Sequence, residues 1–397
     1  MTPDTPLQGP RASRITPGFA LWQLGFRPFY LLASGFASLS IALWALQFSG
    51  WLGQSYLEGP IWHAHEMLFG FILAVIVGFL LTAGRNWSMQ PTPRGLPLAV
   101  LALLWVTARV LVLTPYGWAA AAANTAFPLA SAVVLARAFI AGSNRRNYFF
   151  IALLVLMAAA ALMVHLNKLG VVRLPDLLGI QIALDTILFI MVVMAGRVIP
   201  MFTNNGIPGA NAASHPIVEK AALGLTLMLL VADTLQVGGV TLILMLGAGA
   251  LAHLCRWTLW RPWKTTRAPM VWILHVAYLW IPLHLFMRGL GEAGWVMPTL
   301  AVHALTVGAA GGLIIGMMTR TARGHTGRRL EADFGDRTCY FLITGAALVR
   351  VFVPLAAPAW TVHAILCSAA LWSGCFGLYA VRYWPVLTRP RLDGKPG

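Results

Sequence analysis

Charge is what this chain has least of. Charged residues fill 10% of its 397 positions, where a soluble domain carries about 25%. Acidic residues are the scarcest, 12 Asp and Glu against 28 Lys and Arg. That excludes an ordinary soluble fold. Cysteine is sparse as well: Cys255, Cys339, Cys367 and Cys375 form no CxxC pair, which argues against a zinc ribbon or a disulfide scaffold and leaves them as small apolar fillers. No long linker is present, the longest polar loop being 320–337, so one membrane domain is the default reading. No internal repeat is evident. No cleavable signal peptide is visible either; the polar opening, with Arg11, Arg14, Pro3, Pro10, Pro17 and Gly18, predicts a short flexible tail.

Apolar runs are what the chain does have. Hydrophobic residues make up 59% of it, and a membrane span needs about 20 in a row. Twelve spans are predicted, at 29–49, 63–83, 96–113, 117–140, 147–166, 177–199, 217–236, 239–257, 270–288, 295–319, 338–354 and 358–381. The expectation is an all-α integral membrane protein of about twelve transmembrane helices, with a polar tail over 1–28, a membrane domain over 29–382 and a basic tail over 383–397. The net charge of +16 does not signal nucleic acid. Of the 28 basic residues, 23 fall in alternate loops and the tails; Lys168, Arg173 and Arg288 occupy the other loops. By the positive-inside rule both termini are cytoplasmic. Arg109 and Arg350 remain, each inside a span near its outer end.

Residues 62–66 read Trp-His-Ala-His-Glu, and an apolar run follows at once. Ionisable groups at the mouth of a span cost several kcal/mol each, as a rough figure, unless paired or coordinated. Topology places six of the ten histidines in the outer half: His63, His65, His165, His284, His303 and His363. His303 lies about eight residues into its span, at roughly 12 Å depth for a rise of about 1.5 Å per residue. A neutral imidazole bound to iron or copper satisfies such a position. His63, His65, His275 and His303 are the candidate metal ligands. Positions i and i+2 on a helix point about 200° apart, so His63 and His65 are not expected to share one ion if both are helical. Glu66 is a candidate to orient an imidazole, to pair with Arg109 or Arg350, or to carry protons; Asp185, inside span six, is a second candidate relay.

Haem b suits this inventory, needing axial histidines, an apolar slot and cations for two propionates. His65 and His303 are the candidate axial residues, with Arg109 and Arg350 for the propionates. The small residues Gly308, Ala309, Ala310, Gly311, Gly312 and Gly316 admit either a flat macrocycle or a neighbouring helix.

Four stretches carry a family resemblance: the WHAHE span, GRVIPMFTNN ending span six, the W-x-x-H-x-x-Y segment at Trp272, His275 and Tyr278, and HALTVGAAGGLIIGMMTRTARGHTGR from His303 to Arg328. Together with the span count they resemble the NnrS family along nearly the whole chain. The resemblance implies a bacterial inner-membrane protein containing haem and copper, linked to denitrification and to nitric oxide tolerance. Its motifs fall on His63, His65, Glu66, Arg109, Arg197, His275, His303, Arg320, His325 and Arg350, and leave His165, His284 and His363 outside. The function expected is handling of nitric oxide or nitrosyl-iron species, by reduction or detoxification, with electrons from quinol or another donor. Two other classes stand beside it: a twelve-span transporter of a metal complex or anion, and a non-catalytic sensing or assembly factor for denitrification.

Overall fold

The computed structural model describes residues 18–51 and 56–395. Among them there is no strand, and twelve helices follow the twelve apolar runs. α1 spans Phe26–Phe48, α2 Gly59–Ser88, α3 Leu96–Val112 and α4 Gly117–Ala141. α5 spans Phe149–Lys168, α6 Leu178–Gly206, α7 Pro216–Thr234 and α8 Gly239–Leu259. α9 spans Pro269–Glu292, α10 Pro298–His325, α11 Phe334–Ala356 and α12 Thr361–Thr388. Five helices open with a proline in their first turn, where its missing N–H costs nothing.

Among the described residues, ten helices are long and apolar enough to cross a membrane. The other two are α3, with 17 residues, and α7, which carries Glu219, Lys220 and Asp233. Both pack as full members of the bundle. The expected tails are shorter than predicted where described: α1 already starts at Phe26 and α12 runs on to Thr388. Residues 1–17 of the N-terminal tail and 396–397 of the C-terminal one lie outside the described residues.

The packing order is threefold. Helices α1–α4, α5–α8 and α9–α12 form three successive groups of four. In each, the first helix packs on the second and the third on the fourth, and the fourth packs on the first helix of the next group. The ring closes where α12 meets α1. That seam carries polar bonds: Ser38 Oγ donates to the Ser373 carbonyl (2.9 Å), Ser373 Oγ to the Ser38 carbonyl (3.0 Å), and Trp372 Nε1 to the Ala37 carbonyl (3.2 Å). The second helix of each group, α2, α6 or α10, is largely buried, as is α9. Lipid supplies no hydrophobic force between helices, so close side-chain packing and such bonds hold the ring together.

An internal correspondence emerges that the sequence reading did not find. Pro60–Arg85 of α2 and Pro298–Arg323 of α10 align without a gap, matching at Pro60/Pro298, His65/His303, Gly70/Gly308, Ile76/Ile314, Gly78/Gly316 and Arg85/Arg323. Both helices change to π geometry immediately after the matched histidine, over Glu66–Ile72 and Ala304–Gly311. A π turn reaches back five residues instead of four, and such turns recur at functional sites. The paired glycines each admit a side chain. A Cβ on Gly70 would come within 2.6 Å of the Phe36 ring and 2.9 Å of Arg109 Nη1, and one on Gly308 would sit inside the Trp280 indole. The small-residue stripe of α10 is therefore filled by neighbouring helices: Gly311 lies against Trp372 and Ile343, Gly312 against Ala277 and Gly316 against Leu274.

Candidate functional site

Two polar clusters flank the start of α2, because His63 and His65 face different neighbours. His65 is fully buried and Glu66 is 1% exposed. Arg109, on α3, donates to Glu66 Oε1 at 2.5 Å and also to Asn124 Oδ1 on α4. Asn124 is held in that orientation by donating its Nδ2–H to the Ala120 carbonyl at 2.8 Å. The partner of His65 on its other side is His165 of α5, their Nε2 atoms 3.2 Å apart.

The hydrogen-bond order in this cluster fixes its protons. Glu66, as a carboxylate facing Arg109, accepts from His65 Nδ1–H at 2.8 Å. His65 Nε2 is then the acceptor, so His165 Nε2 carries the hydrogen between them. His165 Nδ1 must in turn accept, and it does so from the Tyr56 hydroxyl at 3.1 Å. Tyr56 lies in the loop before α2, where burial pushes its phenol up to about 12, so it keeps its proton and donates. The result is one continuous chain, Tyr56–His165–His65–Glu66, ending on the Arg109 guanidinium. One negative and one positive charge sum to zero, which is what makes the group tolerable inside a bilayer. Gly70 brings the guanidinium against the π turn, and the Gly70 carbonyl accepts from Trp105 Nε1 at 3.0 Å.

The second cluster is aromatic. The His63 ring stacks on Trp44 of α1 (centroids 4.9 Å, planes 16° apart) and on His303 of α10 (6.3 Å, 8°). His303 Nδ1–H donates to the Thr299 carbonyl at 2.6 Å, which leaves its Nε2 lone pair open. Arg350 on α11 is the charged neighbour of both rings, and among the described residues no hydrogen bond or ion pair engages it. His284 is prepared in the same way as His303: Nδ1–H donates to the Ala301 carbonyl at 2.7 Å, and Nε2 is buried without a partner. An N–H anchored on a carbonyl with the opposite nitrogen free is the tautomer of a metal-binding imidazole.

A third cluster joins α6, α7 and α9. Arg288 donates to both oxygens of Asp233, one at 2.7 Å, and lies 3.8 Å from Asp185. Gln181 Nε2 bridges the two carboxyls, at 3.1 Å from Asp185 Oδ1 and 3.4 Å from Asp233 Oδ2. Two carboxyls share one guanidinium, so the cluster is neutral only when one of them holds a proton.

The structure thus brings His63 to His303 and His65 to Glu66, but not all four candidate ligands to one point. His275 lies nine residues before His284 on α9, about 13 Å along a helix axis. Its Nε2–H donates to Thr203 Oγ1 at 2.8 Å, since the Thr203 hydroxyl already donates to the Ile199 carbonyl. Arg109 does not stand free beside a propionate site; Glu66 and Asn124 engage it. His165, Tyr56, Asn124, Asp233 and Arg288 are site residues that sequence reasoning passed over. Of these, His165 was within reach, since topology had put it on the same outer level as His65.

The end rich in arginine is tied by other pairs. Arg256 of α8 meets Glu219 of α7, and also the Tyr278 hydroxyl at 3.2 Å. Arg197 donates to Asn147 Oδ1 at 2.7 Å, and the Arg320 guanidinium lies 3.8 Å from the centre of the Phe202 ring.

The family model described as NnrS protein matches residues 20–391, covering both π-turn helices and every cluster described above. The chain belongs to the NnrS family. It is a multi-pass, nitric-oxide-related membrane protein of that family. No curated protein matches it.

Donor chemistry decides how far the groups associated with NnrS proteins fit these residues. Haem needs one or two open imidazole nitrogens and a cation for its acid groups; His303 has such a nitrogen, with His63 and Arg350 beside it. Copper prefers a fuller set of nitrogen or sulfur donors. No group of three or more His, Cys, Asp or Glu suited to a metal occurs among the described residues, so these residues do not offer copper such a set.

Proposed function

We propose that this NnrS protein is a haem-binding protein of the bacterial inner membrane that handles nitric oxide or nitrosyl-iron species. The observation that carries the reading is the stacked His63–His303 pair beside the unengaged Arg350. His63 and His303 would hold the iron, and Arg350 would face an acid group at the macrocycle edge. Ferrous haem, when bound, would supply an iron centre that takes nitric oxide in place of one of the two imidazoles.

The remaining residues have separate work. The chain from Tyr56 to Glu66 is a proton path: each link donates to the next, and the Arg109 guanidinium holds Glu66 ready as the terminal acceptor. Asp185 and Asp233 provide a second place where one proton is held between two carboxyls. Apolar helices around both exclude bulk water and admit a small neutral gas from the lipid.

An absorption spectrum and iron analysis of the purified chain, before and after reduction and nitric oxide, test the reading. A Soret band that moves with nitric oxide is expected. His63→Ala and His303→Ala each lose it, whereas His65→Ala keeps the iron. A colourless, iron-free preparation that still protects cells against nitric oxide rejects the proposal.

A further inference from the structure

At the arginine-rich end, Arg27 is 0% exposed. Its Nη1 donates to the Leu387 and Arg389 carbonyls, at 2.8 and 2.9 Å. Among the described residues its Nε and Nη2 are buried with no partner. A buried guanidinium keeps its charge, so two strong donors stand unanswered, a situation native interiors avoid unless a ligand completes it.

The surroundings make the want of an anion sharper. Arg391 and Arg328 are the charged neighbours of Arg27, and His325 has Arg391, Arg27 and Arg85 around it. His325 packs against the Phe26 ring, centroids 5.5 Å apart. The segment after α12 straps this group down. Leu392 N–H donates to the Thr326 carbonyl (3.1 Å) and Arg391 Nη1 to the His325 carbonyl (3.0 Å). The one carboxylate in the strap, Asp393, is taken by Arg391, at 2.6 and 2.8 Å. Arg328 lies outside the spans, and burial, with Arg323 and Arg389 close by, lowers its affinity for its proton. Arginines from four separate parts of the chain thus converge, and among the described residues no carboxylate but the Asp393 held by Arg391 is there to balance them.

We infer that Arg27, Arg328 and Arg391, with His325 and Arg85 beside them, form a binding site for a phosphate group. A planar guanidinium offers paired donors to phosphate oxygens. The site lies at a helix end, with Arg328 and Arg391 only partly buried, and two sources carry such a group, a phospholipid headgroup or a soluble phosphate. It is independent of iron and of the histidines at the opposite face.

Native mass spectrometry of the purified full chain tests this, with phosphatidylglycerol and, separately, inorganic phosphate as probes. One phosphate-bearing molecule per chain is expected to resist removal. Arg27→Gln, Arg328→Gln and Arg391→Gln each weaken its retention by about tenfold, the loss of one charge-assisted hydrogen bond. Arg173→Gln, in the loop between α5 and α6 at the other end of the helices, leaves it unchanged. If inorganic phosphate displaces the lipid, the site takes soluble phosphates; if only the lipid is retained, it is a headgroup site. Retention equal in all four variants overturns the inference. Should Arg27→Gln fail to fold, the two more exposed positions read the same site.

Discussion

Glu66 answers two donors at once, and removing it strands both. Glu66→Gln leaves Arg109 with a buried charge and a weaker acceptor for His65. A loss of about 3–5 kcal/mol is expected, as for breaking one side of a buried pair, measured by thermal unfolding in detergent. Glu66→Gln combined with Arg109→Gln should cost less than the sum of the two, because the second change removes the stranded charge. Tyr56→Phe deletes a single neutral bond and should cost about 1 kcal/mol. At the opposite end, Asp333 shows a pH dependence of definite sign. Burial alone would raise its pKa, but the Asp336 N–H and the guanidinium groups of Arg323 and Arg382 outweigh burial and lower it below the ordinary 3.8. The unfolded chain then binds more protons, so this contribution is complete above about pH 4 and lost as pH falls through the folded value. Asp333→Asn should flatten that acid limb in melting curves taken between about pH 2 and 5. Much of the histidine site was legible at this scale. The pair His65–Glu66 is adjacent in sequence, and the 200° argument correctly separated His63 from His65. Topology set His165 at the level of His65 but did not name it as the partner, because a hundred residues intervene and a single imidazole at a helix end looks like any interfacial one. Asp233 and Arg288 were hidden for the same reason: one lies near the end of a predicted span and the other reads as a loop charge until helices α7 and α9 are set side by side.

Helices were the easiest features to read, since a run of about 20 apolar residues has few other outcomes. Their internal geometry was not. Nothing in Glu66–Ile72 or Ala304–Gly311 marks a π turn by composition. What the two turns share lies outside the helix, a side chain pressed on a glycine: the Arg109 guanidinium against Gly70 and the Trp280 indole against Gly308. Those glycines therefore carry an expectation for their elements. Gly308→Ala forces its helix away from Trp280 and should lower stability by about 1–3 kcal/mol, as overpacking does. Gly70→Ala should do so too, and its cost should shrink in an Arg109→Gln background, because the crowded group is then shorter. Thermal unfolding of the single and double variants checks both. The small-residue stripe on α10 admitted two readings in sequence, a flat macrocycle or a helix. Trp372, Ile343, Ala277 and Leu274 lie against it in space, from helices that the stripe itself does not name.

For the whole molecule, loop charge predicts that both ends lie on the cytoplasmic side. A green fluorescent protein fused after residue 397 is expected to glow, and alkaline phosphatase fused there to stay inactive; active phosphatase would invert the arrangement. The threefold order escaped the sequence because only α2 and α10 keep matched residues, and those are few. The order lives in which helices touch, a property that apolar composition satisfies in many ways. Closure of the ring has a bearing on how the molecule is made. The ribosome delivers α1 first and α12 last, yet Ala37 and Ser38 find their bonding partners only on α12. The earliest segment to enter the bilayer must wait, with one flank against lipid, until nearly the entire polypeptide has been threaded, so a nascent chain halted before residue 361 is left with a gap that nothing else in it can fill.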